Sequence, residues 1–177
     1  MKEKTADLII ETASELFAAR GVYGASLGDV AKELGLSKGT LYYYFPTKDG
    51  LVSAVAERCV KTIGGRLMTW VDTVSEAAAP EEPLGGLCSA MMDGNALRVF
   101  MALNNAVEPD TPLEATIDRA MGEWNVIIEV GALRMQADAA ARMKRMISAV
   151  LPFLCGLAGL NADPDYAREA FTALILG

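Results

Sequence analysis

Histidine is absent from this chain, cysteine is scarce, and basic residues are outnumbered by acidic ones. With no histidine in 177 residues, a Ser-His-Asp triad, a Cys-His pair and histidine ligation of a metal are all excluded. The three cysteines, Cys59, Cys88 and Cys155, are odd in number and far apart. They fit neither a disulfide framework nor a common zinc site, and within apolar stretches they read as small buried hydrophobes in a reduced, cytoplasmic setting. Long apolar runs are missing too. The longest, from Ile147 to Leu160, contains Pro152 and is shorter than the roughly 20 residues a membrane-spanning helix needs, so no membrane partner is expected. The paired glycines Gly64-Gly65 and Gly85-Gly86 lack the downstream Lys-Ser/Thr of a phosphate-binding loop. No enzymatic activity, no metal and no cofactor are expected.

The scarcity of basic residues bears on partners. Sixteen Lys/Arg against 23 Asp/Glu leave a net charge of −7, which by itself opposes nonspecific attraction to nucleic acid. The distribution softens this. From Lys32 to Lys48 the charged residues are Lys32, Lys38 and Lys48 against Glu33 alone, a locally basic stretch on an acidic body.

What the chain has in quantity is apolar residues, 52%, in helical spacing with no convincing strand pattern and no internal repeat. The stretch around Lys38–Phe45 organises the reading. Ser37 is a natural N-cap, able to accept from an unpaired first-turn amide. Leu41 and Phe45, four apart, fall on one face as anchors. Lys38, Gly39, Thr40, Tyr42 and Tyr43 are left to face outward, where a lysine, hydroxyls and aromatic rings suit a phosphate backbone with bases behind it. Before it, Leu27, Val30, Ala31 and Leu34 give the i, i+3, i+4, i+7 spacing of a one-sided helix capped by Ser26, and Gly35 supplies the turn. Two short helices joined by a glycine turn make a helix-turn-helix, whose second helix enters the major groove of DNA.

The run Gly21-Val22-Tyr23-Gly24-Ala25-Ser26-Leu27-Gly28-Asp29-Val30-Ala31, followed by Leu36-Ser37-Lys38-Gly39-Thr40-Leu41-Tyr42-Tyr43-Tyr44-Phe45-Pro46-Thr47-Lys48-Asp49-Gly50-Leu51, closely resembles the DNA-binding domain of TetR-family transcriptional regulators. The resemblance covers about the first third of the chain. It implies an all-α, dimeric repressor released from DNA by a small molecule. The positions that match DNA contacts in that family are Lys38, Gly39, Thr40, Tyr42, Tyr43 and Lys48. Ser26, opening the supporting helix, is expected to offer its hydroxyl and nearby amides to a phosphate. Two departures stand out: Tyr44 occupies a position often held by histidine, and Gly50 replaces the usual glutamate.

The expected architecture is an N-terminal three-helix helix-turn-helix domain, 1–47, and a C-terminal helical ligand-binding and dimerisation domain, 48–177. The first helix runs to Arg20. A lever helix starts at Lys48 with the stripe Val52, Val55, Ala56, Cys59, Val60 and Ile63, and helical pattern continues to Pro80, with Gly64-Gly65 either interrupting it or marking close packing. Pro80-Glu81-Glu82-Pro83 reads as a turn. Further helices are expected over 84–92, 95–107, 113–136, 138–160 and from 165 to 176. The C-terminal region is rich in methionine and aromatics. Any one of them is ordinarily core, yet a methionine-lined helical cavity adapts to varied apolar ligands. The candidate lining is Trp70, Met92, Phe100, Met101, Asn104, Met121, Trp124 and Met146, with a small apolar ligand as occupant. The last helices, about 139–160 and 165–176, are apolar around much of their circumference and are expected to form a homodimer. A dimer sets two recognition helices one duplex turn apart, on a near-palindromic operator. The alternative is a DNA-binding regulator whose C-terminal domain binds a protein partner rather than a small molecule.

Overall fold

A computed structural model describes residues 2–75 and 78–177, the side chains of Lys2 and Glu3 aside. Met1 and residues 76–77 of the helical stretch expected up to Pro80 lie outside it. Among the described residues the chain is all-helical: α1 (Lys2–Arg20), α2 (Leu27–Glu33), α3 (Lys38–Tyr44), α4 (Lys48–Thr73), α5 (Glu81–Met92), α6 (Ala96–Asn104), α7 (Pro112–Ala132), α8 (Ala137–Gly159) and α9 (Pro164–Leu176). No described helix is long and apolar enough to cross a membrane.

The chain forms two compact units, residues 1–60 with 99–117, and 61–98 with 118–177. In the first, α1 packs on α2 and α2 on α3. Ile9, Ala13 and Phe17 of α1, Val30 and Ala31 of α2, and Leu41 of α3 are all buried. Each short helix thus inserts its apolar stripe into one small core, because seven residues cannot hold a helix without such packing. The Arg58 guanidinium ties the N-terminal part of α4 to the Asp7 carboxylate of α1. In the second unit α5 packs on α8 and α9, and α9 on α8, enclosing Leu84, Leu87, Met91, Leu154, Phe171 and Ile175.

Several elements differ from expectation for identifiable reasons. Pro80–Pro83 is not a turn: α5 already begins at Glu81, with Pro80 as its N-cap. First-turn amides have no intrahelical partner, so Pro83 forfeits nothing there, and Glu81 and Glu82 sit where the helix dipole favours negative charge. Gly64-Gly65 does not interrupt α4. A Cβ at Gly64 would stand at an ordinary 3.6 Å from Trp124 Nε1 and one at Gly65 would meet nothing within 4 Å, so neither glycine is required by its neighbours. The helix expected to reach Gln136 ends at Ala132, and α4 ends at Thr73. All three cysteines are buried, and burial raises the Cys88 and Cys155 thiols to about 11, which leaves them protonated and unreactive near neutrality.

Candidate nucleic-acid interface

The helix-turn-helix is fixed by its caps. Ser26 caps α2 in a capping box: its Oγ accepts from the Asp29 amide at 3.1 Å, and its own amide donates to Asp29 Oδ2 at 2.8 Å. These donors, with the Ser26 hydroxyl first among them, hold the Asp29 carboxyl below its ordinary value. Ser37 repeats the device for α3, its Oγ accepting from the Thr40 amide at 3.0 Å. Between them Gly35 turns the chain at φ +63°, a conformation that strains any residue bearing a Cβ. After α3, Phe45 leaves helical geometry at φ −130°, ψ 91°. Thr47 Oγ1 then accepts from the Gly50 amide at 3.1 Å and opens α4.

Within α3 one side chain is fully buried. Leu41 is 0% exposed. Phe45, expected to anchor alongside it, is the half-buried C-cap instead, because α3 stops at Tyr44 before a second anchor turn is completed. Everything else expected to face outward does: Lys38, Gly39 and Thr40 are exposed, Tyr42 is 50% exposed and Tyr43 64%. Tyr44 is half-buried, its ring edge-on to Tyr43 with centroids 5.3 Å apart. The Thr40 and Ser37 hydroxyls lie 2.8 Å apart. With Ser37 donating, the Thr40 proton is released toward solvent.

Four of the seven expected DNA contacts, Ser26, Lys38, Tyr42 and Lys48, line one open cleft of about 500 Å³ together with Gly28 and Thr47. Gly39, Thr40 and Tyr43 continue the exposed surface of α3 outside it. Ser26 differs from expectation in its chemistry: its hydroxyl and its amide are both spent on Asp29. Gly28 was missed as a cleft residue. Its signal was its place in the second position of a capped helix, where a missing side chain opens the first-turn amides; a Cβ there would sit 3.9 Å from Lys38 Cε.

Lys48 is half-buried and belongs to two clefts. Its ammonium stands 5.9 Å from the Tyr23 ring centroid, at the edge of a second hollow of about 400 Å³ in the same unit. The Tyr23 hydroxyl donates to Glu108 Oε1 at 2.8 Å and also reaches the Ala106 carbonyl oxygen at 3.4 Å. The Glu108 carboxylate, by accepting that bond, raises the Tyr23 pKa above its ordinary value. Tyr23 was legible in the motif but without a role.

The candidate ligand residues are dispersed. Trp70 is 3% exposed, its Nε1 donating to the Pro83 carbonyl oxygen at 2.7 Å; Phe100 and Trp124 are each 1% exposed. Met92, Met101, Met121 and Met146 are half-buried and Asn104 is exposed. Phe100, Met101 and Asn104 fall in the first unit and the other five in the second. Met92 lines a cleft of about 410 Å³ with Leu97, Arg98, Asn161 and Asp163.

Residues 9–55 match the family model described as bacterial regulatory proteins, tetR family. The chain is 52% identical over 52 residues to the HTH-type transcriptional regulator YuxN of Bacillus subtilis, covering 29% of this chain and 18% of that protein. It is 31% identical over 87 residues to the HTH-type transcriptional repressor KstR2 of Mycolicibacterium smegmatis, covering 49% and 41%. The matched stretches therefore span less than half the length of either relative. A transcriptional regulator from Saccharomonospora viridis, solved in complex with choline, superposes over 98% of this chain and 96% of its own, with a TM-score of 0.75 at 20% identity. That likeness extends the shared fold over the whole chain.

Proposed function

We propose, from the premise that this chain belongs to the TetR family of bacterial regulatory proteins, that it is a sequence-specific DNA-binding transcriptional regulator: a cytoplasmic, homodimeric repressor released from a near-palindromic operator by a small apolar ligand. The observation that carries the DNA-binding part is the one-sided seating of α3. Leu41 alone is fully buried, and Lys38, Gly39, Thr40, Tyr42 and Tyr43 are exposed together. A helix seated on one face, with most of its polar and aromatic residues outward, can enter a groove without reorganising. Lys38 and Thr40 are assigned to base edges or phosphate, and Tyr42, Tyr43 and Lys48 to phosphate. Gly39 permits close approach of the backbone. Ser26 contributes the end of α2 rather than its hydroxyl.

Release follows if the ligand binds better to a conformer whose recognition helices are mis-spaced for two half-sites. α4, unbroken from Lys48 to Thr73, is the element through which the C-terminal region would act on the DNA-binding end. A coupling of about 1–3 kcal/mol suffices for useful induction. KstR2 is a repressor by name and the S. viridis protein holds choline; both support the repressor and small-molecule readings.

The test is Tyr42→Ala. Tyr42 is half exposed and lines an open cleft, so the variant is expected to keep the wild-type fold and dimer. It should lose at least roughly tenfold in operator affinity in a mobility-shift titration, at the order of one good contact. Normal operator affinity in that variant removes the assignment.

A further inference from the structure

The hollow beside Lys48 has a composition that DNA contact does not require. It is lined by Val22, Tyr23, Lys48, Asp49, Val52, Ser53, Glu108, Pro112 and Leu113 among others, all in the first unit. Val22 and Val52 are buried and give it an apolar floor. Its rim is preformed. The Thr111 hydroxyl donates to the Glu108 carbonyl oxygen at 2.8 Å and accepts from the Glu114 amide at 3.2 Å, while the Asp110 amide donates to Glu114 Oε2 at 2.7 Å. The Tyr23 ring is held in place by its hydroxyl bond to Glu108.

Asp49 and Glu108 bring two negative charges to this hollow and Lys48 one positive, an excess of one negative. The Tyr23 ring presents a face with an ammonium 5.9 Å from its centroid, close to the ~6 Å limit at which an aromatic face still attracts a cation. The lysine therefore occupies a cation position loosely, from the end of a flexible stem. An anion would meet two carboxylates, and a neutral molecule would leave the excess negative charge unbalanced.

We infer that this hollow binds an organic cation with a small apolar body, and that the occupant replaces the Lys48 ammonium over the Tyr23 ring. The apolar body lies on Val22, Val52, Pro112 and Leu113, and the cation faces Tyr23, Glu108 and Asp49. At about 400 Å³ the space is at the lower end of small-molecule sites. The inference goes beyond the regulatory reading and does not depend on it, since the site is complete without DNA.

The experiment is isothermal titration calorimetry of the DNA-free chain with benzyltrimethylammonium, and with benzoate as a probe of comparable apolar bulk and opposite charge. The cation is expected to bind once per chain and benzoate not to bind. Tyr23→Leu and Glu108→Gln should each weaken the cation by roughly two- to fivefold, the order of a cation–ring contact at an exposed site, since Tyr23 is 69% exposed. Lys48→Met, which removes the internal competitor, should tighten it severalfold. No binding of the cation up to millimolar concentration, equal binding of benzoate, unchanged affinity in both Tyr23→Leu and Glu108→Gln, or weaker binding in Lys48→Met would each overturn the inference. Should Tyr23→Leu fail to fold by circular dichroism, Glu108→Gln and Lys48→Met decide it alone.

Discussion

At Gly131 the structure demands the absence of a side chain. A Cβ there would lie 2.3 Å from two carbons of the Trp70 ring, and that ring is nearly buried and hydrogen-bonded to the Pro83 carbonyl oxygen. It has no flexible end with which to yield. Gly131→Ala is therefore expected to destabilise the chain by about 1–3 kcal/mol through overpacking, despite the better helix propensity of alanine, and to lower the thermal midpoint measured by circular dichroism. Gly39 makes the opposite case. A Cβ there would meet only Ser37 Oγ, at an ordinary 3.8 Å, so Gly39→Ala should fold with unchanged or slightly raised stability, up to about 1 kcal/mol. If the backbone of α3 approaches DNA closely, the same variant should lose roughly tenfold in operator affinity by mobility shift. Intact affinity would mean that Gly39 stands clear of the duplex. Gly39 was legible because a motif surrounds it. Gly131 was not, because its constraint comes from a ring 61 positions away and nothing in the local pattern carries that information. Trp70 itself was read as a ligand candidate on its residue type alone, which cannot distinguish a ring that lines a cavity from one packed against two helices.

Among the elements, α2 rests on a reciprocal cap as well as on the packing of Leu27, Val30 and Ala31. Ser26 and Asp29 satisfy each other's polar groups, and the Asp29 carboxyl is held below its ordinary value of 3.8 by hydrogen bonds from Ser26 that are stronger to its ionised form. A folded-state value lowered in this way contributes stability that is present above the unfolded value and lost as pH falls through the folded one. Urea denaturation followed from pH 6 down to pH 2.5 should therefore show a loss of stability on the acid side of 3.8 that is diminished in Asp29→Asn. Ser26→Ala, which removes the cap itself, should cost about 1 kcal/mol at pH 7. An acid limb identical in wild type and Asp29→Asn would exclude this carboxylate as its source. The caps were the most legible features of the chain. Ser26 and Ser37 each stand at the start of the helix they were expected to open, because a hydroxyl at that position has one clear partner. Boundaries set by proline and glycine were harder to read. Pro80-Glu81-Glu82-Pro83 satisfies the rules for a turn and for a first helical turn equally, and only the packing of Leu84, Leu87 and Met91 decides between them. Gly64-Gly65 likewise reads as a candidate break, and only the helix that runs through it shows that it is not.

For the whole molecule, the open matter is which apolar surface belongs to a second copy. The apolar residues of α8 and α9 suggested burial on more than one side, but a sequence does not say which helix lies against which. The structure places α5 against both, and Val150, Leu151, Leu154, Leu157, Phe171 and Ile175 are buried within one chain. Outward apolar residues of α8 include Ala141, Ala149, Pro152, Gly156 and Gly159, with its C-cap Leu160 81% exposed and Phe153 half-buried; on α9, Tyr166 is 60% exposed, Ala173 is exposed, and Leu174 and Leu176 are half-buried. A homodimer through these helices would thus combine close approach at Gly156 and Gly159 with the larger side chains left partly outward around them. Gly156 tests it cleanly, since a Cβ there meets nothing within 4 Å in the single chain. Gly156→Arg should leave the fold intact and weaken self-association by at least a hundredfold, about 3 kcal/mol, moving the sedimentation-equilibrium mass from two chains to one. Gly122→Arg makes the same change on α7, where a Cβ also meets nothing, and should remain dimeric. Because a near-palindrome is read by two helices about one duplex turn apart, the monomeric variant should also bind operator no better than an isolated half-site. A Gly156→Arg protein that still sediments as two chains would move the interface off α8 and oblige the recognition helices to be paired by another surface.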